Sequence, residues 1–562
     1  GAAPGAAPGA APGAAPGAAP GAAPGAASSR GTSVAPGAPN VRIDIEGIND
    51  RIIAINVPPG EYSNLNAGSA GTFLYAVAGG GGGRGRASLS VYEYQMKAQK
   101  AAPLLEGIQS YSLSADRKKL LYRAGGTRWG IVPADRPAKV GEGLLNVAQI
   151  ETMVDPREEW NEIFRETWRI ERDFFYDAKM HGNDWQAIYD KYSPMLPYVH
   201  HRADLSYLIA SVGGELTVGH SYLSGEGDVP DTGHESVGLL GADYVIQNGR
   251  YRIQHIYASG NWNPGLHAPL SEPGLRVSEG DYIIDVDGRP LTGTTNIFSL
   301  FVGTAGRPTT LRVSSHADGS GSWLVTVVPV ASDDPIRLQA WIDGNRRMVD
   351  KLSGGRLAYV WLPNTSAGGF TAFNRYFFAQ QDKEGAIIDD RYNQGGAVAD
   401  YVISELGRPL MGYFAERAGD TFTMPQVGIY GPKVMLINES GGSGGDAMPY
   451  YFRKAGIGPL VGTRTWGGLV GTLGVPPTID GGGITAPDLA FYSVDGKWAV
   501  ENEGVAPDID VENTPAELIN GHDAQLEAAV REALKLLQEH PYSHTPRPPP
   551  INRVRPGSSM PQ

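Results

Sequence analysis

The sequence contains no cysteine. Disulfides, cysteine-based zinc sites and a cysteine nucleophile are therefore excluded, while the compartment stays open, because a periplasmic protein can also lack Cys. Positive charge is in short supply: 47 Lys and Arg stand against 60 Asp and Glu, a net charge of -13. That balance argues against nucleic acid or an anionic membrane as a partner. No apolar run reaches the ~18 residues of a membrane span, so none is expected. Gly1 to Pro24 has neither the basic start nor the leucine-rich core of a signal peptide. No H-E-x-x-H is present, and the adjacent pair His200-His201 reads as a surface pair, so neither metal nor cofactor is expected.

What is present divides into segments. Apolar residues make up 41% of 562 positions, enough for cores in roughly three or four domains of ~100–200 residues. Residues 1–24 are six GAAP repeats. Proline at every fourth position forbids a helix and removes backbone donors. Residues 1–40 are expected to form a disordered or polyproline-like linker, which suggests a longer parent chain upstream or an engineered tail. Residues 41–150 read as short strands between Gly- and Pro-rich turns: Val41–Ile45, Arg51–Val57, Gly71–Ala78, Ser88–Glu93, Ile108–Leu113, Leu120–Arg123 and Arg128–Val132. Gly79–Gly83 is a glycine run between them. Such repetition suggests the end of a β-propeller, with too few blades to close a ring.

The period changes at Asp155-Pro156, a helix N-cap followed by proline at N1. Trp160, Ile163, Phe164, Thr167 and Trp168 then share one face. Trp185–Tyr192 and Ala203–Val212 add helices, giving a small helical domain at 151–235. Residues 236–332 return to strands. There Gly274-Leu275 and Val277 to Gly288 resemble a PDZ domain, with Asp287-Gly288 as a hairpin turn. Ser236–Leu240 is similar to the loop that receives a peptide C-terminus in such domains. Residues 340–540 alternate strands (Leu357–Leu362, Gly385–Asp390, Lys433–Asn438) with helices (Ala397–Leu406, Ala447–Ala455), the pattern of an α/β domain. A last helix, Ala524–Gln538, puts Leu526, Val530, Ala533 and Leu537 on one face. Residues 541–562 form a Pro-rich tail, expected to be loose.

Three segments carry candidate chemistry. In Val434 to Ala447 an apolar strand ends in a sharp glycine-rich turn and enters a helix. That geometry exposes Ser443 and aims free helix N–H groups at the same spot, which an acyl-transfer enzyme needs for nucleophile and oxyanion. The bland reading is a glycine-rich turn with an incidental serine. Ile387 to Gly396 is also strand, turn, then helix, and its paired glycines allow close backbone approach. His220, in Gly213 to Tyr222, is a lone histidine in a linker, a residue more often structural than catalytic when taken alone.

Together these segments resemble the tricorn core protease family over about residues 100–540, in the family's domain order. The matching motifs are Glu215-Leu216 to His220-Ser221-Tyr222, Asp389 to Gly396, Ser443 to Pro449, Lys454 to Gly468 and Glu501 to Asp508. The resemblance implies a multidomain α+β protein: a partial β-propeller end, a small helical domain, a PDZ-like domain and an α/β catalytic domain of the tail-specific/tricorn protease type. It also implies a serine peptidase acting on short peptides. Ser443 would attack the scissile carbonyl and His220 would accept its proton. The N–H groups of Gly396 and Gly444 would form the oxyanion hole, and Glu501 would orient the histidine or stabilise its charge.

Two positions depart from the family. Gly219 stands where the family has a serine linking histidine to glutamate, leaving a water or Ser221 to take that part. Phe414 stands where the family has an acidic residue lining the P1 pocket, which favours apolar P1 side chains; Glu416 is also within reach. Carboxy-terminal processing proteases share the architecture but use a Ser–Lys dyad. Gly468 occupies that lysine's place here, so His220 is the better base. The family further implies peptide partners, a homo-oligomer (a hexamer) and a cytoplasmic location, or a periplasmic one if an upstream signal is missing. Two other functions are weighed: a PDZ-containing scaffold with a weak or inactive catalytic domain, and an esterase on the same machinery.

Overall fold

The computed structural model describes residues 44–48, 52, 54–78, 88–225, 233–257, 260, 263–551 and 553. The GAAP linker, the start of the strand expected at Val41 and the Gly79–Gly83 run lie outside them. The chain divides into two compact units, Gly1–Met153 and Val154–Gln562.

The first unit holds two four-stranded antiparallel sheets in succession, as propeller blades would require. One runs β1 (Tyr62–Ala67), β2 (Thr72–Ala78), β3 (Leu89–Gln95), β4 (Lys100–Ile108); the other runs β5 (Ser110–Leu113), β6 (Lys119–Ala124), β7 (Arg128–Pro133), β8 (Leu144–Leu145). On β6 the strand period sends Leu120, Tyr122 and Ala124 inward. They meet Leu74, Val91, Leu105 and Ile108 in one core. Ile52 and Ile55, expected in a strand, are exposed and outside any sheet. Pro58 and Pro59, just after them, offer no donors to a ladder.

The second unit opens with helices α1 (Pro156–Phe174), α2 (Trp185–Tyr192) and α3 (Arg202–Gly214). The Asp155 side chain accepts from the N–H groups of Arg157 and Glu158, and Pro156 sits where no donor is needed. Ile163, Phe164, Trp185, Leu205, Ile209 and Val212 close this core. His201, of the His pair, caps α3 by accepting from the Ala203 N–H. A short strand, β9 (Leu223–Ser224), follows the His220 loop.

The PDZ-like sheet has the order β10 (Ala242–Gln247), β11 (Arg250–Ile256), β12 (Tyr282–Val286), β14 (Thr309–Ser314), β15 (Trp323–Val327), with β13 (Arg289–Pro290) paired to β12. Asp287 and Gly288 both have positive φ, +48° and +74°, as a two-residue hairpin turn demands. The loop at Ser236–Leu240 is not an open carboxylate cradle. The Gly238 N–H donates to the Phe301 carbonyl (2.9 Å) and the Leu239 N–H to the Val330 carbonyl (2.8 Å).

A long helix, α4 (Asp334–Ser353), leads into the last layer. Here β16 (Leu357–Trp361), β17 (Gly385–Asp389), β20 (Lys433–Ile437), β21 (Leu460–Gly462) and β23 (Ile509–Asp510) form a parallel sheet in that order. Between them lie α5 (Ala367–Tyr376), α6 (Ala399–Leu406), the hairpin β18 (Gly412–Ala415) and β19 (Thr421–Met424), α7 (Gly444–Lys454) and β22 (Gly483–Ile484), which pairs with β9. The short helix α8 (Pro515–Ile519) precedes α9 (Ala524–Glu539). The strands are buried on both faces, so they read as continuous apolar runs. Ala358, Val360, Ile388, Met435 and Ile437 meet Phe373, Val402 and Phe452 of α5, α6 and α7. Their alternates Tyr359, Trp361, Ile387, Val434 and Leu436 meet Val349 of α4 and Leu526, Val530 and Ala533 of α9. Strand order advancing one way puts the connecting helices on one face, and the segments that follow the C-terminal ends of the neighbouring strands β17 and β20 carry Gly396 and Ser443. The described residues beyond Pro541 form no helix or strand, yet His544 packs on Tyr413 (4.5 Å) and Arg547 donates to the Glu416 carbonyl (2.8 Å).

Candidate active site

Ser443 sits where β20 gives way to α7, with φ 57° and ψ -113°. A non-glycine residue rarely adopts that conformation, and a turn holds it only when its surroundings over-determine it. Here they do. Asp446, fully buried, accepts from the Ser443 N–H (2.9 Å), the Gly467 N–H (2.8 Å), the Gly468 N–H (3.0 Å) and the Thr465 hydroxyl. One carboxylate thus ties the Ser443 turn to the 465–468 turn. Burial pushes Asp446 above the ordinary aspartate range, against the pull of those four donors.

Glycine is required around this turn by space. A Cβ on Gly395 would lie 2.7 Å from the Ser443 Cβ, and one on Gly444 would meet Thr365 Oγ1 at 1.8 Å and the Gly396 nitrogen at 2.8 Å. The three backbones are in direct contact. Among the described residues, the Gly396 and Gly444 N–H groups have no carbonyl or carboxylate acceptor. Gly396 is held at φ 133° and Gly395 at φ 80°. The loop is fixed from behind, because the Asn393 Oδ1 accepts from the Gly395 N–H (2.9 Å) and its Nδ2 donates to Asp390 (2.7 Å). Burial, with Asp389 and Asp446 nearby, holds Asp390 well above the usual carboxylate range.

His220 lies on the loop between α3 and β9, at φ 63°. Its ring is 5.9 Å from the Trp466 ring, and Trp466 in turn rests against Gly442, where a Cβ would meet it at 2.6 Å. The histidine and the Ser443 turn therefore flank the same tryptophan. Burial lowers the His220 pKa, while the Glu501 and Asp446 charges oppose the shift. A neutral imidazole at pH 7 is the form a general base needs. No hydrogen bond joins the ring to Ser443 in this conformation, and its Nδ1 is buried with no partner.

Glu501 reaches the site differently from expectation. Its Oε1 accepts from the Gly219 N–H (2.7 Å) and its Oε2 from the N–H groups of Leu469 (2.6 Å) and Val470 (2.8 Å). It clamps the histidine loop to the 469–470 wall, and its charge is felt at the ring. Ser221 does not take the place of the serine missing at Gly219: its hydroxyl turns away and donates to Glu171 of α1 (2.7 Å). Phe414 lies on β18, 57% exposed and stacked on Phe422. It is not among the residues lining the cleft at Ser443.

That cleft, of about 440 Å³, is lined by Gly396, Ala399, Ser443, Gly444, Ala447, Leu469 and Phe491 among others, with Asp400 and Tyr451 as its polar side chains apart from Ser443. Asp446, Thr365 and Trp466 escaped the sequence reading as site residues. The signal for Asp446 was available, since an acidic residue three positions after a turn serine is the N-terminal capping pattern.

A strained serine at a strand–helix turn, two glycine amides beside it with no acceptor among the described residues and a half-buried histidine with a lowered pKa are the parts used by the serine-peptidase class of acyl hydrolases. Comparison with known proteins agrees and is more specific. Residues 156–214 match the tricorn protease C1 domain, 238–332 the tricorn protease PDZ domain and 356–511 peptidase family S41. Tricorn protease homolog 1 of Streptomyces coelicolor is 36% identical over 528 residues, covering 91% of this chain and 49% of the relative. Tricorn protease of Thermoplasma acidophilum is 29% identical over 492 residues, covering 87% and 45%. The crystal structure of the tricorn protease superposes with a TM-score of 0.79 at 28% identity, covering 86% of this chain and 47% of that one. The chain belongs to the tricorn family of S41-type serine peptidases. It spans about half the length of the curated relatives it matches.

Proposed function

We propose that this chain hydrolyses short peptides, with Ser443 as nucleophile, His220 as general base and the N–H groups of Gly396 and Gly444 as the oxyanion hole. The observation that carries this reading is the strained Ser443 turn packed against two glycine amides that have no acceptor among the described residues. In that arrangement Ser443 Oγ attacks the carbonyl carbon while His220 takes its proton. The carbonyl oxygen becomes an oxyanion facing donors already in place, His220 returns the proton to the leaving amine as the C–N bond breaks, and a water activated by His220 then cleaves the acyl-serine ester and restores the hydroxyl. Glu501 acts on the base through its charge and through the loop it clamps. The apolar lining of the cleft, rather than Phe414, supports a preference for apolar P1 side chains. Assembly as a homo-oligomer and a cytoplasmic location are proposed on family grounds. Among the described residues no helix is long and apolar enough to cross a membrane.

The test is intact-mass analysis after exposure to a fluorophosphonate and to peptide chloromethyl ketones. A single fluorophosphonate adduct that Ser443→Ala and His220→Ala both abolish is expected. Chloromethyl ketones with Phe or Leu at P1 are expected to react faster than one with Lys. An adduct that survives Ser443→Ala places the nucleophile elsewhere. No adduct on the wild-type chain favours a scaffold role, and faster reaction with Lys transfers the specificity to Asp400.

A further inference from the structure

His220 holds a left-handed backbone conformation in a loop that has no regular structure of its own, so something outside the loop must keep it there. Three side chains do so. Glu501 accepts from the Gly219 N–H on one side. Thr485 donates to the His220 carbonyl (2.6 Å) and accepts from the Tyr222 N–H (2.9 Å). Glu171 accepts from the hydroxyl of Ser221, the next residue (2.7 Å). The third anchor is the unusual one. Glu171 is 1% exposed, and its Oε2 is buried with no partner. α3 makes room for the contact by carrying Gly213 there, where a Cβ would lie 2.4 Å from Ser221 Oγ.

We propose that Glu171 is a positioning residue for the general base, acting through Ser221 to hold the His220 loop in its working conformation. This inference rests on the Ser443–His220 reading above. A fully buried carboxylate with one hydrogen bond is a costly feature for a helix whose only task is packing. The ionised group can only accept, which fixes the Ser221 hydroxyl as the donor. Protonation takes the charge out of that hydrogen bond, and a neutral bond is roughly half as strong, so the anchor is firm in one ionisation state and looser in the other. Burial raises Glu171 to about 7, opposed only by the Ser221 hydrogen bond. Charged groups on the packed elements are engaged elsewhere: Glu215 with Lys191 and Tyr192, Arg202 with Asp480, and Glu501 with three amides. The His220 ring faces Trp466 and Tyr222. The turn Ser193–Tyr198 that packs on α1 carries no acidic or basic side chain.

The consequence is a second acid limb in the activity. His220 itself titrates below the ordinary histidine value, so it alone would leave the enzyme active through pH 7. Loss of the ionised Glu171 should already reduce turnover as pH falls through about 7. The experiment measures kcat and KM on a short peptide from pH 5 to 9 for the full chain, Glu171→Gln and Ser221→Ala, with Ser443→Ala as the check on the underlying reading. Both positioning variants are expected to lose on the order of 10- to 100-fold in kcat at pH 8 with KM nearly unchanged, and in both the acid limb should move down to that of His220. Circular dichroism and thermal unfolding identify a variant that fails to fold; Ser221→Ala, which removes one hydroxyl, then decides. An unchanged limb with kcat within about twofold of wild type overturns the proposal, as does a change confined to KM. Activity surviving Ser443→Ala overturns the underlying reading instead.

Discussion

At the residue scale, Gly219 is the position where this chain most visibly under-equips its base. If Nε2 is to accept the Ser443 proton, Nδ1 carries the ring's hydrogen and needs an acceptor. It has none. Glu501, the nearby carboxylate, holds three amides instead, one on Oε1 and two on Oε2, which leaves one acceptor site on Oε1. A Cβ on Gly219 would meet Trp466 at 3.4 Å, Glu501 Oε1 at 3.5 Å and Gly468 Cα at 3.6 Å, and Gly219 is not among the positive-φ residues. A serine there therefore fits with at most small adjustment. Its hydroxyl can accept from Nδ1–H and donate to Glu501, joining two groups that are now separate. Gly219→Ser is expected to raise kcat roughly 3- to 10-fold, the equivalent of one modest hydrogen bond, with thermal stability unchanged. Steady-state kinetics on the purified variant check this, and a kcat equal to or below wild type would sink it.

At the element scale, the glycine loop after β17 depends on an ion network beneath it. Arg391 is 1% exposed and bonds Asp389 through two nitrogens (2.9 and 2.7 Å) and both Asp523 oxygens (2.9 Å each). Tyr359 donates to the same Asp389 (2.8 Å). Asp523 is also the N-cap of α9. The Asp389–Arg391 pair of the motif thus ties the end of β17 to the last helix, and Gly395 and Gly396 follow within a few residues. Breaking a buried pair leaves an uncompensated charge, so Arg391→Ala should cost about 3–5 kcal/mol. A urea midpoint within error of wild type would contradict this. The elements themselves were legible where local chemistry marks them: Asp155-Pro156 starts α1, Asp287-Gly288 turns β12, and apolar runs mark β16, β17 and β20. α7 begins at Gly444, before the expected Ala447, because tertiary contacts pay the entropy that Gly444 and Gly445 would otherwise forbid. α4 was not seen, since Trp341, Asn345 and Met348 share its face with many charges and the stripe is weak. The strand–turn–helix at Ser443 and the paired glycines were legible as turn chemistry, whereas His220 stood out only through the family resemblance. The direction of Ser221, the amide partners of Glu501 and the placement of Phe414 were not legible, because each depends on a partner far away in sequence. Glu171 left a trace: it continues the buried stripe of Phe164 and Thr167 on α1, where an acid has no local reason to be.

At the scale of the whole molecule, several buried ionisable groups give stability a pH dependence with separable windows. Glu171 is raised from 4.5 to about 7 in the folded chain. The folded state then holds more protons than the unfolded one between those values, so stability is full below 4.5 and falls as pH rises through about 7. The shift corresponds to about 3 kcal/mol. Lys433, 6% exposed and bonded only to the Gly431 carbonyl (3.2 Å), is lowered from 10.5 to about 8 by burial alone. Here the folded state holds fewer protons, so the penalty is full below about 8 and vanishes as pH rises past 10.5. It too amounts to about 3 kcal/mol. His220 works at a third place: its lowered value makes folding weaker as pH drops below the unfolded histidine range. Glu171→Gln should therefore stabilise the chain at pH 8 and lose that gain by pH 4.5, whereas Lys433→Met should stabilise at pH 7 and lose its gain towards pH 10.5. Thermal midpoints of wild type and both variants across pH 4.5 to 10.5 separate the two. A gain from Glu171→Gln that is constant with pH would mean that its carboxyl stays neutral throughout. In that case the cost of burying an ionised Glu171 is not part of this protein, and the pH-gated anchor on the His220 loop would lose its physical basis.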